Sequence, residues 1–257
     1  MDLIGRLKNL IRPLYYFYDY YKIRFFYKLK YRKICDAYNI PIIINNFNRL
    51  TFLQRLISSL EMRGLTNIHI LDNASTYPPL LEFYKKTQYN VIYIGKNVGH
   101  LALWKTDIYK RFYRDFYVYT DSDLEIVPEC PKDFLHVFLE EMLNNKKIDK
   151  IGLGLKIDDL PDHFSNKKDV IEWENQFIRE EVNKVFYKAN VDTTFALYRP
   201  RVKFGANIFR CMYRSKFPYE VRHLPWYLDS QNIQQEDLYY IEHATTTTHW
   251  TKKSTIQ

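Results

Sequence analysis

Glycine is scarce, at 7 residues in 257. That excludes Gly-rich linkers, collagen-like repeats and low-complexity material. Cysteine is scarcer still. Cys35, Cys130 and Cys211 are far apart and odd in number. They offer neither metal spacing nor a disulfide framework, which fits a reducing compartment. No apolar run approaches the roughly 20 residues needed to span a bilayer. The N-terminus lacks the uninterrupted apolar core of a signal peptide. What the chain has in abundance is aromatic and basic: 23 Tyr, aromatics at 17% and a net charge of +8. That charge suggests an anionic partner, whether phosphate, nucleic acid or an acidic membrane surface. The length fits one α/β domain with a real core, or one domain plus an appendage.

The chain is organised around residues 116–128, FYVYTDSDLEIVP. Phe116, Tyr117, Val118 and Tyr119 form a short aromatic and β-branched run that suits a buried strand. It ends in Asp121 and Asp123, separated by one residue. Acidic groups at the end of a buried strand are costly unless something charged meets them. A divalent cation, with its remaining positions filled by phosphate, is the simplest counter-charge. Asp-x-Asp alone also occurs on solvated loops, so the preceding strand matters to this reading.

Residues 1–36 are unlike the rest. Leu3, Ile4, Leu7, Leu10, Ile11 and Leu14 recur at helical spacing. From Tyr15 to Lys33 a dense aromatic tract is interleaved with Lys22, Arg24, Lys28, Lys30, Arg32 and Lys33. Such a segment could sit in the headgroup layer of an anionic membrane, or pack as an N-terminal helix on the domain. No nucleic-acid module accompanies these charges, so nucleic acid is not an expected partner.

Strands and helices then alternate. Strands are predicted at 40–46, 67–72, 91–94 and 116–119. A helix is predicted from Thr51, opened by a capping box with Gln54 and stopped near Gly64. Further helices are predicted over 80–87 and 102–114. This order implies a parallel sheet with right-handed crossovers and a ligand at the carboxyl ends of its strands. The polar clusters at 45–48, 72–76, 96–100 and 121–123 all follow strands and should converge there. Beyond them the pattern predicts a helix over 131–145, a strand over 150–156, a helix over 169–186 and a strand over 191–198. It weakens after Pro200. Trp104, Trp173, Trp226 and Tyr227 could stack on a ligand ring or belong to the core.

Four segments in this order resemble GT-A glycosyltransferases, most like family 2. They are 42–49 (IIINNFNR), 71–75 (LDNAS), 95–99 (GKNVG) and 120–123 (TDSD), and together they cover about 40–125. The resemblance implies an α/β, Rossmann-like GT-A fold: a mostly parallel central sheet flanked by helices, with the basic aromatic helical segment of 1–36 ahead of it. It implies one catalytic domain over 37–257, with a nucleotide-binding half (37–125) and an acceptor half (126–257). It assigns Asn45, Asn48, Arg49, Asp72, Asn97, Gly99 and Asp121 to the nucleotide. Asp72 could instead cap its own turn, and Asn97 and Gly99 could form an ordinary turn. Asp123, with Asp121 beside it, would hold Mn²⁺ or Mg²⁺, completed by a late histidine, His223 or His249. The base on the acceptor hydroxyl would be Glu236 or Asp237, with Asp192 the alternative. Gln234, Gln235, Leu238, Tyr239 and Tyr240 around that pair depart from the family pattern.

The function so implied is metal-assisted, inverting sugar transfer from a nucleotide-sugar, UDP-sugar favoured. The acceptor would be a glycan or lipid-linked saccharide, as in bacterial surface polysaccharide assembly. The enzyme would be cytoplasmic and peripheral on the inner membrane face. Retaining transfer, or a non-catalytic nucleotide- or membrane-binding module on the same scaffold, are the alternatives.

Overall fold

The computed structural model describes residues 27, 29–31, 34–201, 211–229 and 233–244. After a 3-10 turn (Ile34–Asn39), the chain runs β1 (Ile42–Asn46), α1 (Thr51–Glu61), β2 (Ile68–Asp72), α2 (Pro78–Lys86) and β3 (Asn90–Tyr93). A short α3 (Ala102–Lys105) and a 3-10 turn (Asp107–Arg111) return it to β4 (Tyr117–Asp121). Next come β5 (Leu124–Ile126), α4 (Phe134–Asn144), β6 (Lys150–Gly152), β7 (Gly154–Leu155), α5 (Lys167–Asn175) and β8 (Phe186–Lys188). Last are β9 (Ala196–Tyr198), β10 (Met212–Ser215), β11 (Glu220–His223) and α6 (Gln235–His243).

The main sheet has the order β3-β2-β1-β4-β9-β6-β10-β8. β3, β2, β1 and β4 are mutually parallel, and β10 is parallel to β6. β9 runs antiparallel between β4 and β6, and β8 antiparallel to β10. A second sheet, β5-β11-β7, lies off the end of β4. The fold is therefore α/β, a mostly parallel central sheet flanked by helices, as the alternation of strands and helices implies.

The period-two rule of strands divides β1 between two cores. Ile42 and Ile44 pack with Leu53, Leu56 and Leu60 of α1, whereas Ile43 faces Leu71, Trp104 and Tyr119 on the other side. All of these side chains are buried, and each contributes on the order of 2 kcal/mol of transfer free energy. α1 turns its buried face inward through Phe52, Leu53, Leu56, Ile57 and Leu60. Gly64, at φ +75°, takes the left-handed turn after it.

Five predicted features differ. The capping box at Thr51 does not form: no side chain of the helix caps it, and the Thr51 N–H and hydroxyl both donate to Glu236. The helix over 102–114 stops at Lys105 because Thr106 is extended and turns its hydroxyl onto the carbonyls of Ala102 and Leu103. The helix over 169–186 ends at Asn175. Asn183 then accepts the amides of Val185 and Phe186, and Phe186 opens β8. The strand over 150–156 splits at Leu153 between the two sheets, and only Ala196–Tyr198 of 191–198 pairs as a strand.

Of the N-terminal segment, Tyr27 and Tyr31 are buried edge-on against Phe116. The Tyr27 hydroxyl donates to the Arg114 carbonyl, Tyr31 donates to Asp115, and Lys30 pairs with Asp115. The leucine face of 3–14 lies outside the described residues. Among those described, no helix is long and apolar enough to cross a membrane.

Candidate functional site

Connections from β1 run outward through β2 to β3, then jump back across the sheet to β4. The β1/β4 pair is thus the point where strand order reverses, and a crevice for ligand opens beyond its carboxyl ends. Asn45 and Asp121 are register partners at those ends. The Asn45 amide donates to Asp121 Oδ1 at 3.3 Å, and the Thr193 hydroxyl donates to Asp121 Oδ2 at 2.5 Å. Burial, then the neighbouring charge of Asp123, raises the Asp121 carboxyl above its usual range, despite those two donors. Asn45 Oδ1 is buried with no partner, an acceptor facing the crevice end of the strand.

Asp123 leads directly into β5, which pairs antiparallel with β11 so that Leu124 lies opposite His223. The Leu224 amide donates to the Asp123 carbonyl at 2.8 Å, and His223 Nε2 stands 3.2 Å from Asp123 Oδ2. Burial works against ionisation of Asp123, but the His223 imidazole, followed by Arg49, outweighs it and holds the carboxyl below its usual range. An ionised carboxylate with an imidazole Nε2 facing it suits a borderline divalent cation. Among the described residues, no three His, Cys, Asp or Glu side chains form a complete metal cage. The donor set therefore fits a cation that takes its other ligands from phosphate oxygens or water. His249 lies outside the described residues.

The other nucleotide candidates have internal partners. Asn48 is fully buried at φ +51°, and its Oδ1 accepts the amides of Thr76 and Tyr77. Asp72 is buried and accepts the Ser75 amide with both oxygens, capping its own turn. Together they lock the β1 and β2 loops against each other. Asn97 is exposed and accepts the Gly99 amide, and Gly99 sits at φ +80° with open space where a Cβ would lie. The Arg49 guanidinium is buried, pairs with Asp237 and stacks 3.9 Å over Tyr240.

Glu236 and Asp237, in the first turn of α6, thus carry structural bonds, to Thr51 and Arg49 respectively. Asp192 is the exposed one of the three late carboxylates. Its Oδ1 accepts the Thr193 amide at 2.8 Å, and it lies within electrostatic reach of Asp121. Of the aromatic candidates, Trp104 and Trp226 are core, Tyr227 donates to Asp159, and Trp173 is exposed.

Three charged residues of the site were not singled out in the sequence. Lys150 is fully buried, and Arg214 and Glu174 form a buried pair at 2.5 Å. Burial is the main influence on all three: it lowers Lys150 to about 7, lowers Arg214 and raises Glu174. The pairing of β6 with β10 and the reach of α5 to Arg214 bring them together. Lys150 begins an apolar strand, where a buried cation is the exception.

No protein-family model matches the chain, and no curated protein matches it significantly. Solved structures do. One described as the crystal structure of a mycobacterial protein is 12% identical over 71% of this chain and 68% of its own, with a TM-score of 0.43. Glucosyl-3-phosphoglycerate synthase from Mycobacterium tuberculosis, in complex with phosphoglyceric acid, is 15% identical over 65% and 61%, with a TM-score of 0.40. GalNAc-T7 with UDP, GalNAc and Mn²⁺ is 11% identical over 71% and 43%, with a TM-score of 0.45. The chain spans less than two thirds of the length of the last two.

Proposed function

We propose that this protein is a metal-dependent glycosyltransferase that moves a sugar from a nucleotide-sugar to a glycan or lipid-linked acceptor. The observation that carries the reading is the arrangement at the strand-order reversal. Asn45 and Asp121 stand in register there, and Asp123 stands against His223 immediately beyond. Asp121 and the unpartnered Asn45 Oδ1 are acceptors suited to ribose hydroxyls. Asp123 and His223 would hold Mn²⁺ or Mg²⁺, which when bound neutralises the charge of a departing diphosphate. Gly99 leaves room for a nucleotide to approach the backbone. Asn48 and Asp72 serve by shaping the loops around it.

Of the late carboxylates, Asp192 is best disposed to accept the proton of an acceptor hydroxyl, because it is exposed beside Asp121 while Glu236 and Asp237 are engaged by Thr51 and Arg49. A carboxylate base acting on the acceptor implies inversion at the transferred carbon. UDP-sugars are the favoured donors. The basic segment at 1–33 suits a lipid-linked acceptor presented on an anionic inner membrane face, as in surface polysaccharide assembly.

Thermal-shift titration with UDP-, GDP- and CMP-sugars, with and without Mn²⁺, tests the reading. One nucleotide should raise the melting temperature, and more so with Mn²⁺. No shift with any of them would overturn it. The anomer of the product, read by NMR, tests inversion.

A further inference from the structure

We propose that Lys150 is the positioning residue of Asp121, acting through the loop 191–193. Resting on the reading of Asp121 as a donor-binding group, it assigns to a residue buried in the sheet the task of aiming that carboxylate.

Lys150 begins β6, with Tyr198 of β9 on one side and Met212 of β10 on the other. Its ammonium does not reach solvent. It donates to the carbonyls of Val191 at 2.9 Å and Asp192 at 2.5 Å, and lies 4.8 Å above the Tyr198 ring. These two carbonyls precede Thr193 directly. Thr193 in turn holds Asp121 twice: its hydroxyl donates to Oδ2, and its carbonyl accepts the Asp121 amide at 3.2 Å. The chain of contact is therefore ammonium, two carbonyls, one hydroxyl, carboxylate.

Three further features fit a clamp. Val191 packs onto Gly152 so closely that a Cβ there would lie 2.2 Å from Val191 Cγ1, so the sheet is cut away to seat the loop. The Asp192 side chain accepts the Thr193 amide at 2.8 Å, fixing the turn between the clamped carbonyls and the hydroxyl. A buried ammonium is expensive unless its donors are met, and carbonyls meeting it as a pair hold it in one place. Burial works against the positive charge at this spot, Asp192 and Asp121 favour it, and Arg214 opposes it. A strand residue that served packing alone would be apolar.

The test compares full-length wild type, Lys150→Met, Lys150→Arg and Thr193→Val by amide hydrogen exchange and by calorimetric titration with UDP and Mn²⁺. Lys150→Met should speed exchange at the Thr193 and Asp121 amides, which are bonded to Asp192 and to the Thr193 carbonyl, by about 10-fold or more, with β1 and β2 unchanged. It should weaken UDP about 10-fold, and Lys150→Arg should recover most of both. Thr193→Val should weaken UDP as much while leaving exchange at the residue-193 amide slow, and if Lys150→Met does not fold, Lys150→Gln is read in its place by the same two measurements. Added to Lys150→Met, it should cost nothing further, since both break one chain of contacts. Unchanged exchange at Asp121 in folded Lys150→Met would overturn the clamp whether or not UDP binds. Faster exchange with full UDP affinity would overturn its positioning role. Wild type that binds no UDP would instead remove UDP as the donor nucleotide, and exchange then decides the clamp by itself.

Discussion

At the scale of single residues, Asp123 and His223 stand 3.2 Å apart just beyond the end of β4. The carboxylates at the end of β4 could be read from sequence because an acid after a buried aromatic strand needs a counter-charge. What meets them could not, since His223 arrives through pairing about 100 residues away. Asp72 and Asn48 show the limit differently. The same side chains that could hold a ligand also bond the turns they sit in, and the residue type is identical for both tasks. Asp123→Ala should abolish metal-dependent turnover and leave the melting temperature within a few degrees, because its side chain is partly exposed at 28%. Activity within a few-fold of wild type would refute the metal role. Glu220 gives a pH prediction. Burial pushes it up to about 7, and although Lys156 opposes that, Asp158 and Asp159 reinforce it, with Arg214 also lowering it. The folded state then binds this proton more tightly than the unfolded chain does. Stability should therefore fall as pH rises from about 4.5 to about 7. Denaturant melts at pH 5 and 7.5 should show a smaller loss for Glu220→Gln, and an equal loss would remove Glu220 as the cause.

At the scale of elements, existence and order were readable from periodicity, and ends were not. β1 and α1 are long enough for an apolar pattern to repeat, and they form where expected. β8, β10 and β11 hold three or four residues each, too few for a period to emerge. α6 is held by contacts from the opposite end of the chain. Its Glu236 receives the first amide of α1, and its Asp237 meets buried Arg49. Glu236→Ala should cost about 1–3 kcal/mol, the range for leaving a buried donor unmet. Asp237→Ala should cost about 3–5 kcal/mol, because it strands a buried guanidinium. Urea midpoints measure both. Turnover of Glu236→Gln, Asp237→Asn and Asp192→Asn then locates the base. Asp192→Asn should lose about 10²-fold in rate with donor affinity kept. If that loss falls on an α6 variant that still folds, the base is on α6 instead.

For the whole molecule, the question is how the basic N-terminal segment joins the α/β domain. Its nine Lys and Arg are Arg6, Lys8, Arg12, Lys22, Arg24, Lys28, Lys30, Arg32 and Lys33. Packing and membrane contact were both open from composition, because Tyr and Phe serve either. The structure separates them by position. Tyr27 and Tyr31 complete the core around Phe116, so the end of the segment belongs to the domain. Five of the nine basic residues precede Tyr27. Each basic group at an anionic surface contributes about 1 kcal/mol before screening. Two truncations should then behave differently. Removing 1–33 takes away two buried tyrosines, each worth roughly 2 kcal/mol or more of buried area, and should lower the melting temperature by several degrees. Removing 1–26 keeps both tyrosines and should leave the melting temperature close to wild type. It should nevertheless reduce co-sedimentation with phosphatidylserine vesicles by at least 10-fold at low salt, and full-length binding should weaken as salt rises. If full-length protein does not bind such vesicles at low ionic strength, or binds no better than the 27–257 chain, the membrane role fails. The N-terminal tyrosines then act in folding alone.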